Sequence, residues 1–233
     1  MRKSIIASGL VVALGASAAL LSLHAPAGAQ GGGTIVGEVK LNGSPPPAKT
    51  VKVNKDVEVC GQEKKIVEVG GSGGGLANAI VSVAGAKGVK PAKKPVLDQK
   101  GCEFRPEVVV MAPGELEILN SDGVLHNIHT FSTANPSINK AQPKFKKTMT
   151  EKFEKPEVIK VQCDAHSWMH GWIVVSDSPA AVTDDKGGFR IENVPPGKHK
   201  VEVLHPVLGK QSKEVEVKAG QEAKVAFELA AKK

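Results

Sequence analysis

Short runs in which Val and Ile alternate with polar residues recur from residue 34 to residue 229, separated by Gly, Pro and Asn. A period of two puts successive side chains on opposite faces of an extended strand, and β-branched side chains pack well on that pleated surface. The runs fall at 34–41, 79–83, 108–111, 115–119, 158–161, 172–175, 200–204 and 224–229. Pro45-Pro46-Pro47, the glycine-rich stretch 70–75 and Pro195-Pro196-Gly197 interrupt them where turns are needed. No stretch after the first thirty residues carries a convincing helical period. Many short strands with turn-rich connections predict an all-β chain of sandwiches or barrels. The glycine stretch is not a phosphate loop, because no Gly-Lys-Ser/Thr follows it.

The first residues have a different character. Arg2 and Lys3 precede an apolar run over 5–23, and then come Pro26 and the small triplet Ala27-Gly28-Ala29. That order is a secretory signal peptide over 1–29 with cleavage after Ala29. A retained N-terminal membrane anchor is the alternative, since the run almost spans a bilayer. No Cys follows the run, so a lipid anchor is not indicated. The expectation is a periplasmic or secreted chain with no stable membrane insertion after cleavage. The formal net charge of +7 is a moderate excess, able to steer an acidic protein partner. With aromatics at 3% and no Tyr, no nucleic-acid module is indicated.

Chemistry concentrates in Val161-Gln162-Cys163-Asp164-Ala165-His166-Ser167-Trp168-Met169-His170-Gly171. A strand pattern precedes the segment and another follows, so the residues between form a tight loop whose ends a sheet would fix. Thiolate and thioether are soft ligands suited to Cu(I), while imidazole accommodates Cu(II) as well. Zinc takes Cys and His but has little use for Met. A second His stands at 126, just after the strand pattern 115–119, and Asn127 beside it could tie the two ligand loops together. Blander roles exist for each residue. Cys163 could be a buried free thiol, or half of a Cys163–His166 dyad, although no orienting partner is visible. His170 could replace Met169 as an axial ligand, with an exposed surface His as the plain alternative. Trp168 and Trp172 read as packing residues. No Cys-x-x-Cys-His occurs, which excludes a c-type haem.

In order, Phe104-x-Pro106, Pro113-Gly114, His126-Asn127 and Cys163-x-x-His166-x-x-Met169-x-Gly171 resemble a cupredoxin, a blue copper protein. The short Cys-to-Met loop is most similar to that of amicyanin and plastocyanin. The resemblance spans about 79–177. It implies a Greek-key β-sandwich and one copper per chain held by His126, Cys163, His166 and Met169, with Asn127 supporting them and His129 not a ligand. It also implies that His166 lies nearest the surface, so that electrons pass through its ring edge. Amicyanin-like loops have Pro flanking the C-terminal His, whereas Ala165 and Ser167 stand here.

After Asp177 the sequence 182–197, with Asp184, Gly187, Phe189 and Pro195-Pro196-Gly197, resembles a carboxypeptidase regulatory-like domain, a small transthyretin-type sandwich. The tract 179–233 is short for that unit, and strand 34–41 is a candidate to complete it. His199 and His205 read as structural. Cys60 and Cys102 are expected to pair, since export makes disulfides available and Cys163 is otherwise engaged; two free thiols are the alternative. The expected layout is a signal peptide 1–29, an N-terminal β segment and linker 30–75, a cupredoxin domain 76–178 and a regulatory-like sandwich 179–233. The expected function is electron carriage rather than catalysis, with a c-type cytochrome or a periplasmic dehydrogenase as partner. Lysines 140, 144, 146, 147, 152 and 155 are a candidate docking face for an acidic redox partner, with a solvated loop as the plainer expectation. The rivals are copper delivery, and a non-redox cell-envelope binding module on a vestigial site.

Overall fold

The computed structural model describes residues 31–86 and 94–230. The expected signal peptide 1–29 and its cleavage site lie outside the described residues. The described residues begin with β1 (Gly33–Asn42), β2 (Lys49–Lys52), the one-turn helix α1 (Val57–Cys60), β3 (Glu63–Ile66) and β4 (Ile80–Ala84). Its middle supplies β5 (Val96–Gln99), β6 (Phe104–Arg105), β7 (Val108–Met111), β8 (Gly114–Asn120) and β9 (His126–Phe131). There follow β10 (Asn139–Gln142), β11 (Thr148–Phe153), β12 (Glu157–Gln162) and β13 (His170–Val175). The last part holds β14 (Ala180–Val182), β15 (Gly188–Val194), β16 (Gly197–His205), β17 (Gly209–Val217) and β18 (Glu222–Ala230). The fold class is all-β, and among the described residues no helix is long and apolar enough to cross a membrane.

Two cores organise these strands. In the first, a five-stranded sheet β10-β9-β12-β13-β7 faces a four-stranded sheet β11-β8-β5-β6. Inward positions alternate along each strand: Leu116 and Ile118 on β8, Ile159 and Val161 on β12, all fully buried. The pairs β5–β8 and β7–β13 run parallel, so each requires a connection longer than a hairpin. In the second core, the sheet β15-β1-β18 faces β14-β4-β16-β17 around Ile35, Val39, Leu76, Val81, Phe189, Val201 and Phe227. A small apolar cluster of Ile80, Val108 and Val174, with Trp172 and Leu204 against it, joins the two.

Packing divides the chain differently from the expected segments. β1 pairs in parallel with β18 over nine residues and antiparallel with β15, so the N-terminal strand does complete the C-terminal sandwich. β4, placed in the middle segment by sequence, pairs with β14 and β16 of the second core. Its Val81 and Val83 are wholly buried there, which outweighs their nearness in sequence to the copper motif. The ribbon of β2 and β3 packs on the first core instead, through Val53 and Cys60. The glycine stretch is a close crossing: a Cβ on Gly75 would lie 2.1 Å from the carbonyl of Lys186.

His205, at the end of β16, is 3% exposed, and burial pushes its pKa from 6.5 down to about 4. The unfolded chain therefore takes up this proton first as pH falls. The stabilisation is complete above pH 6.5 and is lost between there and pH 4, a change of about 3 kcal/mol. Denaturant unfolding at pH 7 and pH 4 should show that extra loss in the native chain and its absence in His205→Gln; equal losses in both would assign it elsewhere.

Candidate metal centre

Three of the sequence-selected residues meet at one end of the first sandwich. His126 opens β9, where the preceding turn 121–125 gives way to the pleat. Cys163 follows β12, and His166 lies in the turn between β12 and β13. The turn is closed by backbone bonds, Met169 N–H to the His166 carbonyl (2.9 Å) and Cys163 N–H to the Met169 carbonyl (3.2 Å). The ligand-type atoms of His126, Cys163 and His166 all lie within 4.8 Å of one another, and all three residues are buried. Nδ1 of His126 is 3.0 Å from Nδ1 of His166, and Cys163 Sγ is 3.9 and 3.7 Å from the two nitrogens. Met169 is 1% exposed and packs in the same core.

Neither imidazole is free at its other nitrogen. His126 Nε2 lies 2.9 Å from Asp122 Oδ2, and His166 Nε2 lies 3.0 Å from Asp56 Oδ2. An ionised carboxylate only accepts, so each Nε2 must carry the proton and each Nδ1 presents a lone pair. Burial alone would raise the pKa of Asp122, but the N–H groups of Cys102 and Gly101 and the ring of His126 outweigh it and hold the carboxyl below its usual range. Burial is also the main reason the His126 pKa is lowered, with Asp122 opposing it. Two lone pairs facing each other at 3.0 Å repel unless a cation lies between them. Burial pushes the Cys163 thiol up, against the N–H groups of Asn127, His166 and Ala165. A buried thiol beside two inward lone pairs is a donor set that fits a soft or borderline metal ion better than a shared proton.

Asn127 joins the two ligand-bearing segments. Its Oδ1 accepts the N–H of Asp164 at 2.6 Å and of Ala165 at 3.3 Å. His129 turns outward, bonds Asp164 at 3.0 Å and stacks on Phe131. That bond and one from Asn139 pull the Asp164 carboxyl down to about 2. His170 also points away: its Nδ1 lies 3.0 Å from the Trp168 carbonyl, and its Nε2 lies 3.7 Å from Glu107. Cys60 and Cys102 form a disulfide closing 42 residues. In the chain-entropy picture it is worth roughly 4 kcal/mol. Trp168 donates its Nε1–H to the Cys102 carbonyl.

The ring edge through which the resemblance would pass electrons is not open to solvent: His166 is 0% exposed, with Asp56 and Trp168 against its ring. Two residues escaped sequence reasoning. Asp122 sits four residues before His126 in the turn Asn120-Ser121-Asp122-Gly123, a spacing that could have been noticed. Asp56 is 110 residues from its partner and has no local signal.

No protein-family model matches the chain, and no curated protein matches it. Several solved structures are similar to part of it. A purple cupredoxin from Nitrosopumilus maritimus is 21% identical, covers 36% of this chain and all of its own, with a TM-score of 0.31. An amicyanin variant in the Cu(I) state is 14% identical over 41% of this chain and 98% of its own, with a TM-score of 0.33. A Cu-containing nitrite reductase (NirK) from Thermus scotoductus SA-01 is 24% identical over 40% of this chain and 24% of its own, with a TM-score of 0.31.

Proposed function

We propose that this is an exported protein that holds one copper ion and carries single electrons between redox partners. The observation behind this reading is the pair of inward Nδ1 atoms 3.0 Å apart, locked by a carboxylate on each outward nitrogen and flanked by the Cys163 sulfur. His126, Cys163 and His166 would hold the ion, with Met169 from the same turn as a fourth candidate ligand. Copper bound there supplies one-electron exchange between Cu(I) and Cu(II). The chain's part is to fix the imidazoles before the ion arrives, to exclude water from them and to hold them through a change of oxidation state. Every ligand residue is at most 1% exposed, an arrangement that favours retention of the ion over ready transfer to an acceptor. Among the described residues the same closure shields the ligand side chains from solvent, which favours a carrier over an enzyme. Export accords with the signal-like residues 1–29 and with the disulfide.

The partner would be an acidic redox protein such as a c-type cytochrome or a periplasmic dehydrogenase. Phe145, 81% exposed, stands between Lys144 and Lys146 and provides an apolar anchor ringed by charge. Lys140 and Lys152 are paired with Glu151 and Glu154 and contribute less to that face.

The test is copper titration of the folded protein followed by visible absorption on oxidation. An intense thiolate-to-copper band that saturates at one ion per chain, and is absent in Cys163→Ser, is the expected result. A folded protein with no such band would leave delivery or a non-redox scaffold in place of the carrier.

A further inference from the structure

The ribbon of β2 and β3 lies outside the ligand motif, yet it closes the site. Asp56, on the turn between its strands, has a left-handed conformation (φ 55°), which Asp tolerates better than most residues. From there its Oδ2 reaches His166 Nε2 at 3.0 Å. The helical turn α1 then runs to Cys60, and the disulfide ties it to Cys102. Cys102 donates its N–H at 2.8 Å to Asp122, the carboxylate that engages His126. The supports of both imidazoles are therefore linked through one disulfide.

We propose that Asp56 is a positioning residue for the metal centre, delivered by a latched lid. It fixes His166 with Nδ1 inward and seals the ring edge from solvent and from other molecules. The proposal rests on the copper reading for its effect on the ion, but not for its effect on access. A carboxylate at the outer nitrogen makes the imidazole a stronger donor, which stabilises Cu(II) more than Cu(I). Direct contact between a partner and the His166 ring is excluded while the lid is down.

The variants Asp56→Asn and Asp56→Ala separate charge from closure, because the Asn oxygen still accepts the Nε2–H. Two measurements suffice. The first is the reduction potential of the copper-loaded protein. Loss of the charge should weaken Cu(II) binding about tenfold relative to Cu(I), within the range for such outer partners. That raises the potential by about 59 mV in both variants. The second is labelling of the metal-free protein with diethyl pyrocarbonate, with His170, 30% exposed, as internal reference. His166 should be protected in the native chain and in Asp56→Asn, and should label at least tenfold faster in Asp56→Ala. Unchanged potential in both variants overturns the positioning role, and rapid labelling of His166 in the native chain overturns the lid. Failure of copper to give a thiolate band sinks the carrier reading alone, and the labelling then decides the lid by itself. The Cys60→Ser/Cys102→Ser double variant should label like Asp56→Ala; protection of His166 in it would show that the disulfide is no latch.

Discussion

A chain that begins at residue 43 is expected to lose the second sandwich altogether. β1 is the central strand of its sheet: remove it and β15 and β18, which do not pair with each other, are left without a neighbour between them. Its inward Ile35 and Val39 are fully buried, a loss of roughly 1.5–3 kcal/mol each. Phe189, Ile191, Phe227 and Leu229, which β1 helps to cover, become exposed as well. Gly37 contributes by having no side chain, since a Cβ there would lie 1.7 Å from the Val225 carbonyl and 2.8 Å from the Phe189 ring. Those losses rival the whole stability of a small domain, about 5–15 kcal/mol. Hydrogen exchange should find the β16 and β17 amides protected in the full chain and unprotected in the shortened one. Adding the peptide 31–42 in trans should restore protection, because the vacated slot offers unpaired backbone on both sides. Protection of β16 and β17 without β1 would mean that the strand is an accessory rather than a member of the fold.

What could be read beforehand follows from where the determining contacts lie along the chain. β8, β12 and β13 carry alternating or continuous Val, Leu and Ile, so their burial is written in their own residues. β10 reads Asn139-Lys140-Ala141-Gln142 and β17 is largely Lys, Glu, Gln and Ser, and both are mostly exposed. They are strands because β9 and β16 offer them pairing partners, information that local composition does not hold. The same division runs through the metal centre. Cys163, His166 and Met169 share one turn, and their spacing alone suggests a common target. Asp56 reaches that target only through the ribbon and the disulfide, so its role and the burial of His166 were invisible. The pairing of Cys60 with Cys102 was legible for a simpler reason: of three cysteines, the third had other work.

Asp122→Ala is expected to cost about 4 kcal/mol in stability, the cost of orphaning several buried donors at once. One oxygen accepts the Gly101 N–H at 2.8 Å, and the other accepts Cys102 N–H at 2.8 Å and His126 Nε2 at 2.9 Å. The residue is 7% exposed, so water replaces these bonds poorly. The damage also reaches the metal centre. Without the carboxylate nothing obliges His126 to carry its proton on Nε2, and the tautomer with the proton on Nδ1 cannot bind a metal through that nitrogen. Copper affinity should therefore fall about 10- to 100-fold, the usual range for loss of such a partner. Asp122→Asn is the informative companion. With its oxygen toward Cys102 and His126 it keeps the tautomer, and its amide then faces the Gly101 N–H as donor against donor. It should lose stability, by about 1–2 kcal/mol, while retaining most of the copper affinity. Denaturant unfolding and copper competition titrations on both variants separate the two effects. If Asp122→Ala binds copper as tightly as the native chain, the tautomer of His126 is set by something other than Asp122, and the facing lone pairs lose one of their two supports.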